Sequence, residues 1–114
     1  MLKIKSTTLS LIIALLASTI FASIQVTPAY AAVINVSGNI TTNTTWTTGN
    51  IYVVQGHVTV NSGVTLIVQQ GVIIKFAANK LLGVNGVLKV QGTNTNPVII
   101  TSIKDDTAGG DVTG

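Results

Sequence analysis

The 114-residue chain reads as an all-β protein, a parallel β-solenoid in which short coils of backbone stack on one another. Three observations predict this. Short aliphatic runs (IYVV, VTV, TLIV, VIIKF, LLGV, VLKV, VIITS) follow one another from Ile51 to Ser102, each bounded by turn residues, which is how short strands appear in sequence. β-Branched side chains and the glycines at 56, 63, 71, 83, 86 and 92 work against a helix over the same span. The chain also repeats itself: VNSGVTLIVQQG, from Val60 to Gly71, is followed by VNGVLKVQG, from Val84 to Gly92.

The first element, residues 1–31, has the three parts of an export signal. Lys3 and Lys5 make a basic start, LSLIIALLASTIF from Leu9 to Phe21 is the apolar run, and Ala29-Tyr30-Ala31 is a small-x-small cleavage site. The run is shorter than the roughly 20 residues that cross a bilayer as a helix, so a helical signal peptide is expected in preference to a stable membrane span. Cleavage after Ala31 leaves four Lys against three Asp, a net charge of +1 with no Arg. That balance argues against nucleic acid, which calls for a basic patch. The absence of Cys excludes thiolate metal sites and cysteine nucleophiles.

Residues 32–50 are rich in Thr and Asn, with Trp46 as the one large ring, and read as an N-terminal cap containing loop or short strand. Asn35, Asn39 and Asn43 begin tripeptides of the N-glycosylation type, but a Thr/Asn-rich turn segment is the plainer reading. Residues 51–104 carry about two and a half coils. Leu66 and Val68 align with Leu88 and Val90, and Val58 and Val60 with Leu82 and Val84. Ile51 and Val53 are set on Val72 and Ile74, and those on Val98 and Ile100, with TNTN before Pro97 absorbing extra length. Three strand classes recurring in one order at a period in the low twenties are what a solenoid needs, because each lap must return to stack on the one before.

Alternation then assigns faces, with Lys75 and Lys89 placed outward because a lone ammonium is costly to bury. Ile51, Val53, Val58, Val60, Leu66, Val68, Val72, Ile74, Phe76, Leu82, Val84, Leu88, Val90, Val98 and Ile100 are expected inward. Tyr52, Thr59, Ile67, Ile73 and Ile99 are expected outward. Asn61 and Asn85, after equivalent strands, are expected at a corner in the left-handed conformation that Asn tolerates. Tyr52, Ile73 and Ile99 would form an exposed apolar stripe, a surface for sugar or protein unless a loop or the Trp46 segment covers it.

Residues 105–114 form an acidic, glycine-rich loop. Asp105, Asp106 and Asp111 are the only carboxylates of the chain and the only candidates for a Ca²⁺ site, the one cofactor to consider. They do not match the spacing of a known calcium loop, and a solvated acidic turn is the plainer reading. His57 has no acid or second His beside it in sequence and reads as a solvated turn residue. With no Asp or Glu from Ala32 to Lys104, neither the paired carboxyls of a glycosidase nor a positioned base can be assembled on the coils. The chain is expected to have no catalysis of its own. Ice binding needs regular ranks of Thr, and Thr59 instead aligns with Gly83.

The stretches GHVTVNSGVTLIVQQGVIIKF, VNGVLKVQGTNTNPVIITS and IKDDTAGGD resemble the opening of large bacterial secreted proteins with a right-handed parallel β-helix, of the pectin-lyase-like superfamily. The resemblance runs from about Ser37 to Gly114. It implies a right-handed coil and a place among N-terminal cap and first coils, with more coils to follow. A lone stack of so few coils leaves an apolar end exposed, so a fragment of a longer protein, or dependence on a partner, is expected. The superfamily includes polysaccharide lyases, glycoside hydrolases, adhesins and surface proteins. The expectation is therefore a secreted or cell-surface structural module that displays its surface to carbohydrate or cell-surface partners. The alternative is the opening of a polysaccharide-cleaving enzyme whose catalytic coils are missing here.

Overall fold

The computed structural model describes residues 32–113; the signal peptide expected over residues 1–31, with its cleavage site at Ala29 and Ala31, lies outside them. Eight strands follow in order: β1 (Val33–Ile40), β2 (Thr44–Trp46), β3 (Ile51–Val60), β4 (Thr65–Val68), β5 (Ile73–Phe76), β6 (Leu82–Val84), β7 (Val87–Val90) and β8 (Ile99–Ser102). There is no helix among the described residues. Every strand pairing is parallel, and short turns instead of helical crossovers join the strands, so the architecture is a β-solenoid.

β1 and β3 each turn a corner. Their pairing shifts between Val36 and Gly38, where Ser37 alone sits opposite Gln55, Gly56 and His57. Before the corner the order is β1-β3-β5-β8; after it β6 pairs with the second half of β3, and β2-β4-β7 make the third face. Each lap thus contributes three short strands. Three laps are complete and β8 opens another.

The Thr/Asn-rich segment is itself a lap. β1 lies along β3 and β2 along β4, with Ile34, Val36, Ile40 and Trp46 at or against the core and the Thr, Ser and Asn residues between them largely exposed. Those polar positions hid the alternation. A three-residue strand such as β2 carries too few apolar residues to announce itself.

Two of the aligned strand classes hold to the residue. Leu66 and Val68 pair with Leu88 and Val90, and Val58, Thr59 and Val60 pair with Leu82, Gly83 and Val84. The third is out by one position in its first lap: Ile51 pairs with Ile73, not Val72, and Tyr52 with Ile74. Later laps keep the expected register, Ile74 with Ile100. A one-residue slip exchanges the faces of a strand, so Tyr52 and Val54 belong to the central core while Ile51 and Val53 face outward.

The reason is visible at Tyr52. Its ring stacks on Trp46 with centroids 4.7 Å apart and planes 11° apart, a favourable offset-stacked aromatic pair. The phenolic oxygen accepts the Thr47 N–H at 2.9 Å. An aromatic residue with a polar tip can be buried wherever that tip finds a partner, and the corner after β2 provides one. Trp46 is thus a core residue and not a cover for an outer stripe.

The corner asparagines also differ from expectation. Asn61 and Asn85 do stand after equivalent strands, and their N–H groups donate across to Ile40 and Val60. Among the described residues, however, the one non-glycine residue with positive φ is Asn79, at 60°. Stacking at this corner is tight instead at Gly86, where an added Cβ would lie 2.2 Å from the Val64 carbonyl oxygen and 2.3 Å from that of Asn61. Only glycine lets the two laps approach so closely.

Candidate functional site

Three parts of the surface gather polar groups. The most developed lies on the outer side of β3, β5 and β8, where the chain after β8 folds back. Lys75 points outward as its register requires, pairing with Val53 on one side and Thr101 on the other. Yet it is fully buried, with 0% exposure. Its ammonium donates to the carbonyl oxygens of Asp105 at 2.8 Å and Gly110 at 2.6 Å. Burial of an ammonium is tolerable when such partners replace its water.

The returning segment is built from two copies of one small device. Asp105 accepts the Thr107 N–H at 3.0 Å and the Thr107 hydroxyl through Oδ1, and the Thr101 hydroxyl through Oδ2 at 2.7 Å. Asp111 accepts the Thr113 N–H at 2.8 Å and its hydroxyl at 2.7 Å through Oδ1. Both are Asx-type turns, in which a carboxylate holds the backbone two residues on. The hydrogen bonds from Thr107 and Thr101, with the nearby Lys75 charge adding to them, hold the Asp105 carboxyl down to about 2. Acceptance of several hydrogen bonds favours the charged form.

Asp105, Asp106 and Asp111 therefore belong to one loop. Among the described residues, no group of three or more His, Asp or Glu side chains is placed to hold a metal ion. The stripe Tyr52, Ile73 and Ile99 is not assembled: Tyr52 is inside, and the outward column in that place is Ile51, Ile73 and Ile99. The returning loop covers its first two members. An added Cβ on Gly109 would come within 2.6 Å of Ile51 Cδ1 and 3.0 Å of Ile73 Cδ1. Over Ile51 and Ile73 the cover comes from this loop on the C-terminal side and not from the Trp46 segment, and Ile99 stays exposed.

The second polar surface is a cleft of about 240 Å³ lined by Thr48, Gln69, Gln70 and Gln91. Gln69 and Gln91 occupy the same place on successive laps, each donating its backbone N–H to the strand below, to Trp46 and Val68 respectively. Gln69 Oε1 also accepts the Thr48 N–H at 3.1 Å. Sequence reasoning passed over this row, although the recurrence of Gln after LIV and LKV was legible. A hollow of about 300 Å³ lies in the first lap, lined by Asn35, Val36, Ser37, Ile40, Thr44, Trp46 and Val58. His57 and Lys89 are exposed, His57 at the β3 corner and Lys89 on β7.

A protein-family model, described as a pectate-lyase-like beta helix domain, matches residues 38–114. The chain belongs to this family. The match takes in β3 to β8 with the end of β1 and all of β2, so it reaches into the Thr-rich lap as well as covering the recognisable repeats. Searches of curated proteins and of solved structures return no match. The family fixes the architecture of this β-helix domain; the name describes a likeness to pectate lyases, and the residues on the coils decide what the domain itself can do.

Proposed function

We propose that this β-helix domain is a non-catalytic module of an exported protein, presenting a rigid surface to carbohydrate or cell-surface components. The observation that carries the reading is where its carboxylates go. The three acids of the sequence all fall in the returning loop: Asp105 through both oxygens and Asp111 through Oδ1 hold Thr101, Thr107 and Thr113, and Asp106 stands exposed beside them. Groups committed to holding a turn are poorly placed to move protons on a substrate. The outer faces elsewhere offer amides, hydroxyls and single lysines, as in the Gln69, Gln70 and Gln91 cleft, and such neutral donors and acceptors suit sugar hydroxyls. Export rests on the basic, apolar and small-residue pattern of residues 1–31. In this reading the domain needs no cofactor, and its further partners are coils that stack on its last lap.

The family description favours one other reading, the opening coils of a polysaccharide lyase or glycoside hydrolase that carries its catalytic residues on other coils. One experiment tests the first reading. The protein is applied to an array of cell-surface glycans and plant polysaccharides, and incubated with pectate while new reducing or unsaturated ends are measured. Binding without new chain ends supports display; catalytic release of ends by this chain contradicts it.

A further inference from the structure

The returning segment has a construction that display alone does not require. It crosses the outer face of the β3-β5-β8 sheet after the Ile103 N–H has continued the β8 ladder to the Phe76 carbonyl and the Asp105 carboxylate has taken the Thr101 hydroxyl, and it is seated there at two further places. One is the Lys75 ammonium with the carbonyl oxygens of Asp105 and Gly110. The other is the close seat of Gly109 on Ile51 and Ile73. We propose that residues 104–113 are a strap held shut by Lys75, which serves as a built-in cation, and that opening the strap uncovers an apolar column on the outer face of the coil.

Carbonyl oxygens at 2.8 and 2.6 Å around one cationic centre, inside an Asp- and Gly-rich loop, are the kind of oxygen donors a hard cation takes. Here the cation is covalently part of β5. An ammonium tethered to the sheet organises the loop wherever the sheet is folded, with no ion to be captured from solution. Lys75 itself is fully buried, while Asp105 is half-buried and Gly110 exposed, so the bonds shield the ammonium and leave the outer side of the loop in water.

The strap also has a shape of its own. Gly109 and Gly110 lie in succession at φ of 72° and 81°, conformations that other residues adopt only under strain. Its internal order comes in part from the Asp105 and Asp111 turns, the first of which is also tied to the sheet through Thr101. Beneath it, Ile51 and Val53 are buried although they face outward and lie outside the central core. Ile99, at the end of the same column, remains exposed. The covered surface is therefore continuous with an exposed one, and displacement of the strap would lengthen an apolar strip along the coil axis.

The test is hydrogen exchange by mass spectrometry on the protein and two variants, Lys75→Met and Gly109→Val, with binding of an apolar fluorescent dye as second readout. Methionine keeps the length and packing of the side chain but removes the charge; valine pushes the strap off Ile51 and Ile73 while leaving Lys75 intact. Both variants should exchange the protected amides of residues 104–113 at least tenfold faster, leave β3 and β4 unchanged, and bind more dye. Calcium or a chelator should leave strap exchange in the natural protein unaltered. Unchanged exchange in Lys75→Met would overturn the proposal. So would a uniform rise across all strands, which would make Lys75 a support of the whole coil, or protection of the natural strap that depends on calcium.

Discussion

Two successive rounds of the coil, one from the second half of β3 through β5 and the next from β6 through β8, carry nearly the same inward side chains and meet very different fates. Val60, Val68 and Ile74 are 0, 0 and 2% exposed, whereas Val84, Val90 and Ile100, one lap on in the same columns, are 42, 50 and 61% exposed. Sequence is almost constant between the two, so the difference comes from what lies above. A β-solenoid residue is buried by its own lap and by both neighbours, and a lap with one neighbour keeps about half of that cover. The Lys75 face offers the same lesson in the other direction, because there a single returning loop supplies the cover that a neighbouring sheet otherwise would.

The comparison can be broken most sharply with leucine. Leu66→Ala, in the middle lap, should cost about 2–5 kcal/mol in urea unfolding, and Leu88→Ala, half-buried one lap on, about 1 kcal/mol. Equal losses would mean that the last lap is as well packed as the middle one. Next in size, Val68→Thr buries a hydroxyl without a ready partner and should cost about 1–3 kcal/mol, while Val90→Thr should fall within about 0.5 kcal/mol of the parent. Tyr52→Phe keeps the stack on Trp46 but leaves the Thr47 N–H unanswered, for a loss of about 1 kcal/mol by the same unfolding measurement.

The smallest effect concerns the strap and pH. The Asp105 carboxyl is depressed from 3.8 to about 2 in the folded chain. Its contribution is fully present above the unfolded value and disappears as pH falls through the folded one. Strap amides at Thr107 should therefore keep their protection at pH 5 and lose it progressively between about 4 and 2, after correction for intrinsic exchange rates. Loss already complete near pH 4 would show that the hydrogen bonds from Thr101 and Thr107 do not hold the carboxylate.

Much of the coil was legible because hydrophobic alternation and turn residues repeat together. Leu66 over Leu88 and Val58 over Leu82 follow from that pattern alone. The errors arose where one residue could satisfy two rules. Tyr52 is apolar in body and polar at its tip, and only the partner at Thr47 decides that it goes inside. Lys75 obeys the rule that charge faces outward and is buried all the same, since outward on a sheet means solvent only if nothing folds over it. No local pattern could disclose the strap's landing place, because it depends on contacts between residues some thirty positions apart, as in the bond from Lys75 to Asp105. The first lap was obscured for a simpler cause, its outward positions being Thr, Ser and Asn and its third strand only three residues long.

Equivalent residues of successive laps stand directly over one another, and a cross-link tests this most directly. The sequence has no cysteine, so Ile67→Cys with Lys89→Cys introduces one outward-facing pair on neighbouring parallel strands. Adjacent strands lie about 4.8 Å apart, within reach of a disulfide. Mild oxidation should close an intramolecular disulfide in this variant and not in Ile67→Cys with Val90→Cys, whose second position faces inward. Failure of the first pair to close, or equal closure of both, would contradict the stacked register on which the fold assignment rests.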